Sequence, residues 1–333
     1  MRERELTYPV SLTDAHGRFN REAHGWARDN LVDASAIDGR ANWGRNKRWE
    51  YWCVVTPTHL LACTISSLDY LCLGEIFVHE RATHRSFGRT RFAPGSRWAR
   101  LPGNLEGTVA TLRIGDVRVT VEEVEGGTRI RADGGRFSFD VTAERPPHHE
   151  RLAVAVPWDD RRFQYTVKDV GRPARGHVTV HGVRREVPEG QSWAILDHGR
   201  GRWPREITWN WAAGAGRGSD GRTVGLQLGG KWTVDTGSTE NAVLIDGRLH
   251  KISEELVWDY DLHDAAAPWH IHGAGLDATL TPEHPKRAHT NVGILASSTT
   301  QVFGTWSGTW THGGVVVAFD SLAGFAEETH QLW

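Results

Sequence analysis

Apolar and polar residues alternate along much of the chain, which is the pattern of half-buried strands. Residues 117–144 alternate in this way and are interrupted by glycine pairs at 126–127 and 134–135. Glycine supplies the positive φ of tight hairpin turns, so this segment predicts a β-meander. The Asp-Gly pair at 246–247 lies between two further alternating segments and predicts a type I′ turn. Helical spacing of apolar residues is rare and brief, so we expect a mainly β fold.

The length of the chain favours two packed domains. Its 333 residues exceed what one hydrophobic core usually serves, and the 37 glycines and 13 prolines are spread rather than pooled in one linker. The best boundary lies near residues 180–192, between a strand-rich first part and a segment rich in tryptophan. We therefore predict an N-terminal β-domain of residues 1–187 and a C-terminal β-domain of residues 188–333.

Charge and composition exclude several classes of partner. The formal net charge of -2 provides no positive field for nucleic acid or for an anionic membrane surface. The chain shows no apolar run long enough to cross a bilayer, and its charged N-terminus lacks the apolar core of a secretory signal. The three cysteines show no CxxC spacing. These features predict a cytoplasmic protein with reduced thiols.

Residues 193–211 concentrate four tryptophans, three arginines, an aspartate and a histidine. On a strand, Asp197 shares a face with a tryptophan, and His198 points to the opposite face. Burial among indoles favours the protonated form of a carboxyl group, which makes Asp197 a candidate proton donor. His198 would orient that carboxyl group or relay its proton. The alternative is a structural ion pair between Asp197 and Arg200 or Arg202.

Two other aromatic pairs are candidates for a pocket wall. Trp209 and Trp211 fall on one face of a strand, and their π-faces would stabilise positive charge that develops on a substrate. The alternative for these indoles is plain core packing. Trp49 and Tyr51 share a face in the same way, which leaves Glu50 on the other face as a further interior carboxylate.

A second polar cluster lies at residues 231–242 around a turn that glycine and serine form between two strands. Glu240 and Asn241 point to opposite sides if a strand begins there, because successive side chains of a strand alternate. We expect Glu240 to face the interior.

No cofactor signature accompanies these residues. His270 and His272 stand at i, i+2 on one strand face, a spacing that sheet metal sites use, with Glu240 as an available carboxylate. No HExxH, cysteine pair or third histidine spacing supports them, so no metal is predicted, although their binding of one stays open. The sequence also lacks GxSxG, a P-loop and a GxGxxG between strand and helix, so we expect no other cofactor.

Several segments resemble the DUF2804 family, a domain of unknown function. They are GWARDNL, NKRWEYWCVVTP, LDY, ILDHGRGRWPREITWNWA, KWTVDTGSTENA, a Pro-Trp pair and the terminal HQLW, in the order of the family across nearly the whole chain. A strand with Trp and Asp followed by an aromatic strand is also similar, more distantly, to the lipocalin-like superfamily that contains carotenoid 1,2-hydratases and several cyclases. That resemblance implies two tandem lipocalin-like antiparallel β-barrels with few short helices.

Two functions stay open at this point. The first is an enzyme of hydratase, cyclase or isomerase type that acts by acid-base chemistry on an apolar, isoprenoid-like small molecule in a Trp-lined barrel pocket. Its catalytic group would be Asp197, His198 and Glu240. Its substrate-binding residues would be Trp49, Tyr51, Trp203, Trp209, Trp211, Asn241 and Trp269. The second function is a non-catalytic lipocalin-like carrier of a hydrophobic ligand.

Overall fold

The computed structural model describes residues 3–38, 41–291 and 295–333. Two compact units make up the chain. The N-terminal unit comprises residues 4–203, and the C-terminal unit comprises residues 204–333 together with Glu3.

The N-terminal unit is built from strands, as the alternating pattern predicts. In its described residues these strands are β1 (Val10–Ser11), β2 (Gly25–Ala27), β3 (Val32–Asp33), β4 (Lys47–Val55), β5 (His59–Ser67), β6 (Leu71–Glu80), β7 (Arg85–Pro94), β8 (Ala99–Arg100), β9 (Val109–Ile114), β10 (Val117–Val124), β11 (Gly127–Asp133), β12 (Phe137–Glu144), β13 (Leu152–Pro157), β14 (Phe163–Val180), β15 (Val183–Val187) and β16 (Trp193–Arg202). One 3-10 turn of helix, Arg21–Ala23, lies between β1 and β2. No helix in the described ranges has both the length and the apolar character to span a membrane.

One curled antiparallel sheet dominates this unit. Its strands follow the order β7-β6-β5-β4-β16-β14-β12-β11-β10-β9-β8, with β13 and β15 pairing with β14, and β2 pairing with β13. The sheet folds back on itself, so that Gly74 of β6 lies against Leu112 of β9; a Cβ at Gly74 would stand 2.3 Å from a Leu112 methyl carbon. The apolar residues of the two ends therefore bury one another in a single core.

The meander predicted for residues 117–144 is confirmed. Strands β10, β11 and β12 pair in sequence, and the turn from Val124 to Gly127 uses Gly126 at a φ of 75°. Inward and outward residues alternate along β12, whose apolar positions Phe137, Phe139 and Val141 are buried. A period of two in the sequence thus becomes one buried and one solvated face.

The C-terminal unit is a second antiparallel sheet. Within the described ranges its strands are β17 (Glu206–Arg217), β18 (Thr223–Gly230), β19 (Asn241–Ile245), β20 (Arg248–Ile252), β21 (Val257–Asp259), β22 (Trp269–Gly273), β23 (Leu276–Asn291), β24 (Ala296–His312) and β25 (Val315–Leu332). They follow the order β20-β19-β18-β17-β25-β24-β23-β22-β21. The sheet curls so that Trp258 of β21 lies against Gly230 of β18, and its concave side holds an apolar core.

The hairpin predicted at residues 246–247 is confirmed. Asp246 and Gly247 have φ values of 48° and 77°, and Ile245 pairs with Arg248 across the turn. Two consecutive positive φ angles define the type I′ turn, whose twist matches that of the two strands.

The predicted domain boundary between residues 187 and 188 stays a prediction. Strand β16, which that division assigns to the second domain, pairs with β4 and β14 of the N-terminal unit. The Trp-rich segment 193–211 is therefore shared, since β16 ends in one unit and β17 begins in the other.

We expect removal of residues 330–333 to destabilise the C-terminal unit. His330, Gln331 and Leu332 pair with β17 on one side and β24 on the other, and the Trp333 N–H donates to the Arg205 carbonyl at 2.9 Å. Each lost hydrogen bond contributes about 1 kcal/mol, so the melting temperature should fall by several degrees. Differential scanning calorimetry measures this fall, and His330→Ala, which keeps both ladders, is the control. An unchanged melting temperature would contradict the expectation.

Candidate functional site

Strand β16 lies between β4 and β14 and presents successive residues to opposite faces of the sheet. Asp197 is paired with Tyr51 on one side and with Lys168 on the other, whereas His198 is paired with Glu50. Directly opposed residues of antiparallel strands share a face. The two adjacent titratable residues of the predicted site therefore lie in different surroundings.

The Asp197 carboxylate is held by three donors. The Lys168 ammonium lies 3.0 Å from Oδ1, the Thr166 hydroxyl donates to Oδ1 at 3.1 Å, and the Trp49 indole N–H donates to Oδ2 at 2.9 Å. The accessible fractions of the Asp197 and Lys168 side chains are 13% and 6%. Each of these three partners donates, so the Asp197 carboxyl group is the acceptor in a largely dry ion pair.

Three indoles lie next to this ion pair. Trp49 covers Gly199, where a Cβ would stand 2.1 Å from an indole carbon, so only glycine leaves room for the ring. Trp203 meets Trp49 edge to face at 5.5 Å between ring centroids, and Trp158 lies 5.2 Å from Trp203. The Trp203 N–H donates to Gln164 Oε1 at 2.6 Å, which fixes its ring. These half-buried indoles form a partly open apolar wall, which we call the indole wall.

Two arginines of residues 193–211, Arg200 and Arg202, bind partners other than Asp197. Arg200 donates to the carbonyls of Trp49 at 2.7 Å and Pro102 at 2.6 Å, and Arg202 donates to Asn46 Oδ1 at 2.9 Å. The described ion-pair partner of the aspartate is a lysine from the neighbouring strand. Both arginines therefore brace backbone and loops on the core side.

His198 lies on the core face in a buried charged group. Its Nδ1 is 3.4 Å from Glu50 Oε1, which also lies 3.4 Å from the Arg200 guanidinium. Burial and the positive charge of Arg200 lower the pKa of His198 to about 4, against the opposing effect of Glu50. Burial raises the pKa of Glu50, but bonds and charges from His198 and Arg200 outweigh it and lower that pKa. The histidine is therefore neutral near pH 7.

A cavity lies on the core side of the N-terminal sheet, between Glu50, Trp52 and Arg172. The centre of a water molecule can move within about 10 Å³ of it. That volume is room for roughly one water. Arg172 fills the space beside it, because its guanidinium reaches Asp169 at 3.4 Å and stacks over Trp52 at 5.5 Å. This cavity cannot hold an apolar substrate, so the indole wall is the better candidate in this unit.

Two of the segments that carry the family resemblance meet at Asp69. Its carboxylate accepts from the Gly44 N–H at 2.8 Å and the Asn46 amide at 3.0 Å, and pairs with Arg48 at 2.8 Å. Asp69 is buried and has a φ of 68°. The LDY and NKRW segments therefore have a structural role, because their contacts fix the start of β4.

In the C-terminal unit, Trp209 and Trp211 occupy one face of β17. The Trp209 N–H donates to Glu327 Oε1 at 3.1 Å, and the Trp211 N–H donates to Gln227 Oε1 at 2.9 Å. Trp211 also meets Phe325 edge to face at 4.7 Å. Each indole has a polar partner, so this face combines apolar area with fixed hydrogen bonds.

Glu240 and Asn241 are both buried at the start of β19. Glu240 accepts from the Trp232 N–H at 3.3 Å, and Asn241 accepts from the Gly229 N–H at 2.8 Å. The Asn241 amide also donates to the Glu254 carbonyl at 3.1 Å, so this side chain joins strand β18 to the segment that follows β20. Glu240 belongs to the C-terminal unit, whereas Asp197 belongs to the N-terminal unit.

Trp269 lies in the core of the C-terminal unit. It is 1% exposed and stacks on Tyr260 with ring centroids 4.0 Å apart. The Tyr260 hydroxyl receives bonds from Lys231 at 2.9 Å and from the Asn210 amide at 3.1 Å. It also donates to Glu328. This polar cluster escaped the sequence analysis because its members are up to 118 residues apart in the chain (328 − 210).

Sequence reasoning also missed Lys168, Thr166 and Trp158. Nothing local distinguishes Lys168 from any other charged residue of a strand, and only the register between β14 and β16 brings it to Asp197. Trp158 lies in the turn before β14 and reaches Trp203 through the same pairing. No signal in a single sequence identifies such a register.

We expect His198 to make stability fall with acid. Its folded pKa of about 4 is below the usual 6.5, so the unfolded chain binds the proton more readily. Stability from this group is complete above pH 6.5 and is lost as pH falls toward 4. Urea unfolding at several pH values should show a weaker slope in this window for His198→Gln than for the parent chain. Equal slopes would contradict a buried neutral histidine.

We expect the Lys168–Asp197 pair to be coupled. Lys168→Met leaves a buried carboxylate without its cation and should lower the free energy of unfolding by about 3 kcal/mol. Adding Asp197→Asn removes that charge and should recover part of the loss. A double-mutant cycle by urea denaturation measures the coupling, and strictly additive effects would rule it out.

The fold is shared with two proteins of known structure. CghA aligns with a TM-score of 0.52 at 10% identity, over 87% of this chain and 88% of CghA. Kievitone hydratase from Nectria haematococca aligns with a TM-score of 0.50 at 10% identity, over 90% of this chain and 92% of the hydratase. These alignments confirm the predicted mainly β, tandem lipocalin-like fold.

Sequence comparison places the chain in one family. No curated protein matches its sequence. The model of a family described as a domain of unknown function, DUF2804, matches residues 3–333. The protein therefore belongs to the DUF2804 family.

Proposed function

We propose that the protein is an enzyme that acts on an apolar small molecule by acid-base chemistry of hydratase, cyclase or isomerase type. The observation that carries the proposal is the Lys168–Asp197 ion pair beside the indole wall of Trp49, Trp158 and Trp203. In this proposal Asp197 and Lys168 together hold and deliver the proton.

The surroundings of the pair suit such chemistry. A dry charged pair acts on its neighbours more strongly than it would in water, because the local dielectric constant is low. Indoles offer apolar area to the substrate, and their π-faces favour positive charge as it develops on carbon. The same wall can therefore bind an isoprenoid-like chain and stabilise its protonated form.

Hydration illustrates the balance of the reaction. One carbon of a carbon–carbon double bond receives a proton from the Lys168–Asp197 pair, and a water oxygen bonds to the other carbon. That water then returns a proton to the pair, which is restored without a redox cofactor. An isomerase would use the same pair to donate a proton to one carbon of the double bond and to accept a proton from a different carbon, which moves the double bond and restores the pair.

The comparisons support the proposal only through the fold. One structural neighbour, kievitone hydratase, is named as a hydratase. Its sequence is only 10% identical to this chain, so none of its site residues is transferred here. The catalytic roles predicted for His198 and Glu240 stay predictions, as do the binding roles of Tyr51, Trp209, Trp211, Asn241 and Trp269.

We expect turnover to require Asp197. The purified protein is incubated in deuterated water with a panel of isoprenoid and long-chain unsaturated compounds, and products are analysed by mass spectrometry. A product with deuterium bound to carbon should form with the parent chain. It should be lost with Asp197→Asn, while the affinity for the compound changes little.

A matched control is Asp140→Asn, which removes another aspartate of the N-terminal unit that is paired with an arginine, Arg129, at 2.6 Å. This variant should retain full turnover. Tight binding of a compound that is recovered unchanged would favour the carrier instead, and equal turnover by Asp197→Asn would exclude the proposed catalytic pair.

A further inference from the structure

A separate cluster lies on the outer side of the C-terminal sheet. His270 and His272 stand two residues apart on β22, and their rings stack with centroids 4.7 Å apart. Asp259 of β21 is the register partner of His270, and its Oδ2 lies 3.2 Å from His272 Nε2 and 3.8 Å from His270 Nδ1. Ligand atoms of these three side chains all lie within 4.8 Å of one another.

A fourth residue, Asp277, sets the tautomer of the His270 ring. His270 Nε2 lies 3.1 Å from Asp277 Oδ1 of β23, so this nitrogen carries the proton and donates to the carboxylate. In the neutral ring, Nδ1 then has the lone pair, on the side of Asp259. Its separation of 3.8 Å from Asp259 Oδ2 is too long for a hydrogen bond.

The spacing matches a small tetrahedral ion. Bonds of about 2.1 Å to nitrogen and oxygen place neighbouring tetrahedral ligand atoms about 3.4 Å apart. The distances of 3.2 and 3.8 Å from Asp259 Oδ2 to the two imidazole nitrogens lie on either side of that value. A carboxylate that accepts from the far nitrogen of a ligating histidine is also the usual support of such a site.

We propose that His270 Nδ1, His272 Nε2 and Asp259 Oδ2 bind a divalent transition-metal ion of the zinc class, which replaces the proton that His272 Nε2 donates to Asp259 Oδ2 at 3.2 Å. Asp277 is the positioning residue that holds the His270 ring, and water completes the coordination. Two imidazoles favour zinc, copper or nickel over magnesium or calcium. The side chains of His270, His272 and Asp259 are 38%, 39% and 63% accessible, so an ion can enter directly from solvent.

This site is independent of the proposed catalytic pair. It joins β21 to β22, so its occupancy should raise the melting temperature of the protein. The full chain without an affinity tag is titrated with Zn²⁺ by calorimetry, and with Co²⁺ while its visible absorption is recorded. We expect one equivalent of ion to bind, with the absorption of a tetrahedral cobalt site.

Substitutions distinguish a specific metal site from nonspecific binding of the ion. The double variant H270A/H272A and the single variant D259N should lose this equivalent, and D277N should weaken its affinity by 10-fold or more. His330→Ala is the matched control, because His330 forms a histidine–carboxylate pair with Glu206 at 3.0 Å in the same unit. Its titration should equal that of the parent chain.

Two results would overturn the proposal. One is a parent chain that binds no Zn²⁺ and shows no rise in melting temperature, which would mean that these side chains form surface ion pairs only. The other is an equivalent of ion that persists in H270A/H272A, which would place it elsewhere. Circular dichroism on each variant confirms that a lost equivalent reflects lost ligands in a folded chain.

Discussion

The alternation of β16 between β4 and β14 is the constraint on which the candidate site depends. Successive residues of β16 face opposite sides of one sheet, and both neighbouring strands pair with it at Asp197 and His198 without a bulge. Asp197 therefore meets Lys168 and Trp49, whereas its neighbour His198 meets Glu50. A shift of register by one residue would exchange the two environments completely.

The two faces have different chemical characters. On the core face, Glu50, His198 and Arg200 form a closed group beside a cavity with room for about one water. On the other face, a charged pair borders three half-buried indoles. Both groups carry a desolvation cost, but only the Lys168–Asp197 pair borders apolar side chains that solvent partly reaches.

The C-terminal unit applies the same rule to other residues. Trp209 and Trp211 share one face of β17 because they are two residues apart, and each finds an amide or carboxylate partner there. His270 and His272 share the outer face of β22 for the same reason, so that both approach Asp259 of the next strand. A period of two thus places candidate side chains in pairs on one face, and the neighbouring strands decide which residues each pair contacts.

The sequence by itself determined the fold class, the meander at 117–144, the turn at 246–247 and the side of the strand on which each residue lies. These are local properties, since alternation and turn chemistry act over a few residues. Only the tertiary structure decided that Asp197 pairs with Lys168 rather than Arg200, that Trp269 is core, and that Asp259 approaches His270. Those contacts depend on the register and curl of strands distant in the chain, and no local pattern encodes them.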